Sequence, residues 1–192
     1  MKVIDISQEV FSCRVYPGDP APRKETLCSM EKGDMYNLSA FSMCAHNGTH
    51  IDAPAHFVKD GKTVDELPAD TFVGPCYVAR YVGAIGEKEA KEILMKAQGA
   101  ERILIAGDVT VTAEAAQVFA AAEIKLLGNE SQTVGPEDAP MAVHVILLGA
   151  NVCLLEGVVL EGVEEGKYIL SAAPLNLSRC EGAPCRAILI QL

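Results

Sequence analysis

Apolar and polar positions alternate over Val3–Ile6, and Tyr36–Met43 is again strand-like, so a strand is predicted at each place. Cys76–Val82, Arg102–Ala106, Ile124–Leu127 and Asn151–Leu155 are further runs of strand length. Helical spacing fills the gaps between them. Glu87–Ala97 carries charged and apolar residues at that spacing, with Gly99 as a stop; Thr112–Ala122 has Thr112 as cap and Glu114 in its first turn; Pro136–Leu148 has proline at its start and Gly149 at its end. From about residue 76 to 155 the order is strand, helix, strand, helix, strand, helix, strand. Such alternation favours an α/β domain with parallel pairing. Tyr168–Ala172 and Arg186–Ile190 add strands that make the sheet mixed. The turn residues Tyr16-Pro17-Gly18-Asp19-Pro20 make 12–25 an irregular loop. With no internal repeat, low-complexity tract or linker, residues 1–192 read as one domain.

Composition narrows the classes. Apolar residues make up 49% and charged residues 22%, enough for a sizeable core and against disorder. The net charge of −10 argues against a nucleic-acid surface, which needs clustered Lys and Arg. No stretch reaches the ~20 apolar residues of a membrane span, and the N-terminus lacks a signal-peptide hydrophobic region. The seven cysteines are scattered with no C-x-x-C pair, so reduced thiols in a cytoplasm are expected.

Chemistry concentrates in one place. Three of the four histidines fall within the eleven residues His46–His56, in the pattern His46-x3-His50-x-Asp52-x3-His56. Imidazole and carboxylate together suit a borderline divalent cation such as zinc. Asn47-Gly48 and Pro54 predict loop and turn there, not an uninterrupted helix. Cys44 reads as a small buried apolar residue. The downstream candidates are His144, inside the helix 136–148, and Glu156, twelve residues on at the end of the next strand. His46, His50, Asp52, His144 and Glu156 would suffice for two zinc ions bridged by a carboxylate, or for one octahedral ion such as manganese. His56 is left as a proton carrier beside the ion or as a further ligand. A bound divalent ion lowers the pKa of water toward ~7 and polarises a carbonyl, so the set points to hydrolysis of an amide or ester. Each residue also has a plainer reading. His46 and His50 could cap turns, Asp52 could bond loop amides, His144 could bond its own helix, and Glu156 could be a solvated charge.

These residues resemble the cyclase family of metal-dependent hydrolases, which includes bacterial kynurenine formamidases and isatin hydrolases. The likeness lies in His46-Asn-Gly-Thr-His50-Ile-Asp52-Ala-Pro54-Ala-His56-Phe, in Tyr16-Pro17-Gly18-Asp19, and in Thr133-Val134-Gly135-Pro136. It continues in His144 with Leu147-Leu148-Gly149, in Leu155-Glu156-Gly157 and in Pro184-Cys185-Arg186-Ala187. The resemblance implies a swivelling β/α/β fold assembled into homodimers or homotetramers. It implies a zinc or manganese site, with His46, His50 and Asp52 as first ligands, His144 and Glu156 completing a second position, and His56 as the acid/base. It implies hydrolysis of a small amide, as in cleavage of N-formyl-L-kynurenine. Ring-opening of a lactam, imide or lactone, or metal binding without turnover, are the competing functions. Two segments depart from the family pattern: Tyr16 stands where tryptophan is frequent, and Asn129–Gly135 replaces a D-x-P-S-x-D stretch. Both are expected to line the substrate pocket, with Tyr16 and Gln132 as its candidate contacts.

Overall fold

The computed structural model describes residues 1–191. The chain opens with β1 (Lys2–Asp5), sends out a hairpin of β2 (Arg23–Cys28) and β3 (Leu38–Ser42), and returns as the short buried strand β4 (His50–Asp52). Next come β5 (Val73–Arg80), β6 (Gly83–Ile85), α1 (Glu87–Ala97), β7 (Arg102–Ala106), β8 (Val109–Val111) and α2 (Ala113–Ala121). Then follow β9 (Leu126–Asn129), α3 (Met141–Gly149), β10 (Cys153–Glu156), β11 (Gly166–Ser171), β12 (Gly182–Pro184) and β13 (Ile188–Gln191).

One mixed sheet dominates, in the order β1-β13-β11-β5-β7-β9-β10-β4-β12. Its centre, β5-β7-β9-β10, is parallel throughout. The alternation of strand and helix demands this, because a parallel pair needs a crossover and each helix supplies one. The central strands read as continuous apolar runs because both faces are covered. On β7, Ile103 and Ile105 join the core beneath the three helices, with Phe119 of α2 and Leu147 of α3. Leu104 and Ala106 of the same strand point the other way, into a second core with Leu155, Leu170 and Leu189. Among the described residues no helix is long and apolar enough to cross a membrane.

The α/β class, the mixed sheet and the parallel core match the sequence reading. Three local expectations do not. The histidine segment is not wholly loop: His50–Asp52 forms β4, antiparallel to both β10 and β12. Three residues are too few to display a period of two, and Gly48 and Pro54 mask the strand from either side. The expected loop 12–25 gives way at Arg23 to β2, which pairs with β3 in an exposed arm. The third helix starts at Met141, not Pro136. Pro140 disfavours helical geometry at Ala139, so 136–140 remains outside the helix. The sequence reading does not include the parallel pair β6–β8 or the strand β12, three-residue segments too short to show a period.

Candidate metal centre

Strand pairing assembles the site. His50 and Asp52 are two apart on β4 and so share a face. The antiparallel register sets Glu156, the last residue of β10, opposite His50. The turn between α3 and β10 folds the helix back on that strand and brings in His144, one of whose ring nitrogens lies 3.2 Å from a Glu156 oxygen. Loop bonds hold the remaining piece. Thr49 Oγ1 donates to Gly157 O (2.7 Å) and accepts from Gln8 N (2.9 Å), locking the histidine segment between the N-terminal stretch and the end of β10.

The donors form two clusters that share one carboxylate: His46, His50 and Asp52 in one, and Asp52, His144 and Glu156 in the other, each spanning no more than 4.8 Å. Asp52 Oδ1 lies 2.8 Å from His46 Nδ1 and 3.4 Å from His50 Nε2, and Oδ2 lies 3.5 Å from His144 Nε2. His50 Nε2 is 3.6 Å from Glu156 Oε2. Backbone carbonyls fix two of the imidazoles. His50 Nδ1 donates to Gly48 O and His144 Nδ1 to Pro140 O, both at 2.9 Å, which leaves each Nε2 facing the carboxylates. This set fits a divalent cation. Asp52 Oδ2 is buried without a hydrogen-bond partner, a costly state that a cation would relieve. The donors are nitrogen and oxygen, as zinc or manganese accepts.

The electrostatics follow from burial and proximity. Burial alone would lower the pKa of His46, but the hydrogen bond and charge of Asp52, and then Glu181, outweigh it and raise the value to about 9. His144 likewise rises to about 10 against its burial, through the neighbouring carboxylates of Asp52 and Glu156. His50 is raised by Asp52 despite complete burial. Asp52 is held well below the usual carboxylate range; burial opposes this, and the surrounding imidazoles of His144, His46 and His50 outweigh it. Glu156 is pushed up, first by burial and then by the charge of Asp52.

His56 belongs to neither cluster. It ends a 3-10 turn begun by Pro54, stacks on His46 with ring centroids 4.1 Å apart, and sets Nε2 4.0 Å from Asp52 Oδ2. Burial, reinforced by the cations of His46 and His144, pushes its pKa down to about 4 against the pull of Asp52. The ring is thus neutral near pH 7. All six of these residues border or underlie one cavity of about 260 Å³, with Tyr16, Asp19, Phe57, Gln132, Thr133 and Pro140 as further lining. Tyr16 and Gln132 both line this cavity. Cys44 is only half-buried; its thiol lies 3.7 Å from Asp19 Oδ2, and it joins neither cluster. Asp19 sits inside the Tyr16–Asp19 motif, yet its place in the cavity wall is set by the loop's path. Glu181, 3.3 Å from His46 Nε2, has no spacing signal at all, lying 135 residues away.

Comparison with known proteins supplies the family. The Cyclase family profile matches residues 4–136. The kynurenine formamidase of Bacillus anthracis is 35% identical over 204 residues, covering 98% of this chain and 97% of its own. A solved structure described as a potential metal-dependent hydrolase with cyclase activity superposes with a TM-score of 0.83 at 27% identity, covering 98% of this chain and 96% of its own. Isatin hydrolase A of Labrenzia aggregata shares the fold, with a TM-score of 0.84 at 21% identity over 100% of this chain and 94% of its own. With the family profile spanning most of its length and relatives above 30% identity spanning nearly all of it, this chain belongs to the cyclase family.

Proposed function

We propose that this protein is a metal-dependent hydrolase that cleaves the C–N bond of a small amide, with an arylformamide of the N-formylkynurenine type as the leading substrate class. One observation carries the reading: two donor clusters share Asp52 at the base of a cavity, and an imidazole bound to neither stands 4.0 Å away. His46, His50 and Asp52 hold one cation position, and Asp52, His144 and Glu156 hold a second, for one or two zinc ions or for manganese. A divalent cation bound there supplies Lewis acidity, which makes water more acidic and polarises a carbonyl. His56, kept neutral by burial, accepts a proton at Nε2 from the attacking water and delivers it to the departing nitrogen. Tyr16, Phe57, Pro140 and Gln132 bound the space for the organic part of the substrate. The name carried by relatives such as the Bacillus anthracis protein supports the formamide assignment.

The same reading makes the enzyme cytoplasmic and a homodimer or homotetramer. In support, the arm of β2 and β3 exposes Leu27, Leu38 and Phe41, with Met30, Met35 and Tyr36 in its connecting loop. Covering these side chains with a second copy of the chain would remove their apolar area from water.

The test is a panel of arylformamides, lactams, imides and lactones assayed with metal-loaded protein. Formamides should turn over fastest, and His56→Ala should lower the rate by at least ~100-fold while metal content stays constant. Faster lactam or lactone opening would reassign the substrate. An inert panel at full metal loading would favour a non-catalytic metal-binding protein.

A further inference from the structure

Each imidazole in the two clusters uses one nitrogen toward the carboxylates and has the other fixed by a partner outside them. For His50 and His144 that partner is a nearby backbone carbonyl. His46 differs. Its Nδ1 faces Asp52, and its Nε2 faces the Glu181 side chain at 3.3 Å.

The backbone around Glu181 is placed with respect to that ring on both sides. Ala53 N donates to Glu181 O at 2.8 Å, anchoring residue 181 to the end of β4. The next residue, Gly182, pairs with Asp52 across the β4–β12 ladder. A Cβ at Gly182 would stand 2.6 Å from His46 Cε1 and 2.9 Å from Ile51 O, so the His46 ring lies on the bare backbone of β12. The strand thus offers the ring a floor and a carboxylate at its outer nitrogen.

From this geometry we infer that Glu181 is a positioning residue for the metal centre: it accepts the Nε2 proton of His46, holds Nδ1 directed at the cation position, and makes the imidazole a better donor. The inference rests on the reading of His46 as a ligand. The physical reason is general. A carboxylate on the outer nitrogen fixes tautomer and orientation and raises ligand basicity, and losing such a partner usually costs ~10–100-fold in metal affinity. The Glu181 side chain is 46% exposed, so the lower end of that range is expected here.

The experiment measures Zn²⁺ affinity by competition with a chelator, together with the visible spectrum of the Co²⁺ form, for Glu181→Ala, Glu181→Gln, Glu181→Asp and His46→Ala. Glu181→Ala should bind about tenfold more weakly, with an altered cobalt spectrum and an unchanged melting temperature of the metal-free protein, because a half-exposed carboxylate contributes little to folding. Glu181→Asp should restore part of the loss. Glu181→Gln keeps the volume and covers the case in which alanine perturbs folding. If His46→Ala loses affinity by more than ~100-fold while both the Ala and Gln variants stay within twofold of the parent with unaltered spectra, the positioning role is refuted and the ligand reading stands. If His46→Ala binds normally, the ligand reading fails and takes this inference with it.

Discussion

Asp52→Asn is the sharpest perturbation of this protein, because Asp52 alone is common to both donor clusters. Its Oδ1 serves His46 and His50, and its Oδ2 faces His144. Replacing the carboxylate by an amide removes the charge from both clusters and leaves one weaker, neutral oxygen donor where there were two, so at least one cluster falls from three donors to two. Loss of a partner one step removed from a metal typically costs 10–100-fold, so loss of a direct donor should cost at least ~100-fold, or ~2.8 kcal/mol, at each position. One compensation opposes this. The charge of Asp52 helps to raise the Glu156 pKa, so Glu156 ionises more readily in the variant; burial, the larger influence, remains. Glu156→Gln gives the contrast. It weakens its own cluster and leaves His46, His50 and Asp52 intact. The assay equilibrates each protein with metal and a chelator of known affinity and reads the metal-to-protein ratio. Asp52→Asn should lose all bound metal at a chelator level where Glu156→Gln keeps the first position filled. Asp52→Asn binding within tenfold of the parent at both positions would refute the shared-carboxylate geometry.

Metal loading should release protons. In the metal-free protein His46 and His144 titrate at about 9 and about 10, so both carry protons at pH 7, and a cation must displace them. Affinity should therefore rise with pH and level off above that range, and calorimetry at pH 7 in buffers of different ionisation heat should detect the release; no buffer dependence would contradict it. The sign for folding is opposite: raised histidine pKa values stabilise the metal-free fold fully below about 6.5, and that contribution fades as pH rises through 9 to 10. Gly157→Ala should destabilise the fold by about 2 kcal/mol or more, seen as a melting-temperature drop of roughly 4–8 °C. Gly157 has φ +65°, and an added Cβ would stand 2.3 Å from both Gly48 O and Gln132 Nε2, one of them backbone that cannot step aside; an unchanged melting temperature would count against this tight seat.

Much of this protein was legible in one dimension. The central strands and the helices between them announce themselves because their periods are local properties, and two helix boundaries carry their own punctuation, Thr112 before α2 and Gly149 at the end of α3. The cluster His46–His56 is equally local, so its chemistry could be read directly, and His144 and Glu156 could be nominated as the other half. Their convergence is a matter of tertiary structure. It depends on β4 pairing with β10 in the one register that sets His50 opposite Glu156, and a slip of one residue would turn those side chains to the opposite face. The strands that enforce this, β4 and β12, are three residues each and owe their conformation to their neighbours, so no window of sequence reveals them. Glu181 follows the same logic. A lone acidic residue far along the chain gains meaning only when the ladder lays it against an imidazole. Sequence alone determined which donors were available and which elements would carry them. Folding decided which donors share a carboxylate and which imidazole stands apart, because those relations are distances between segments remote along the chain.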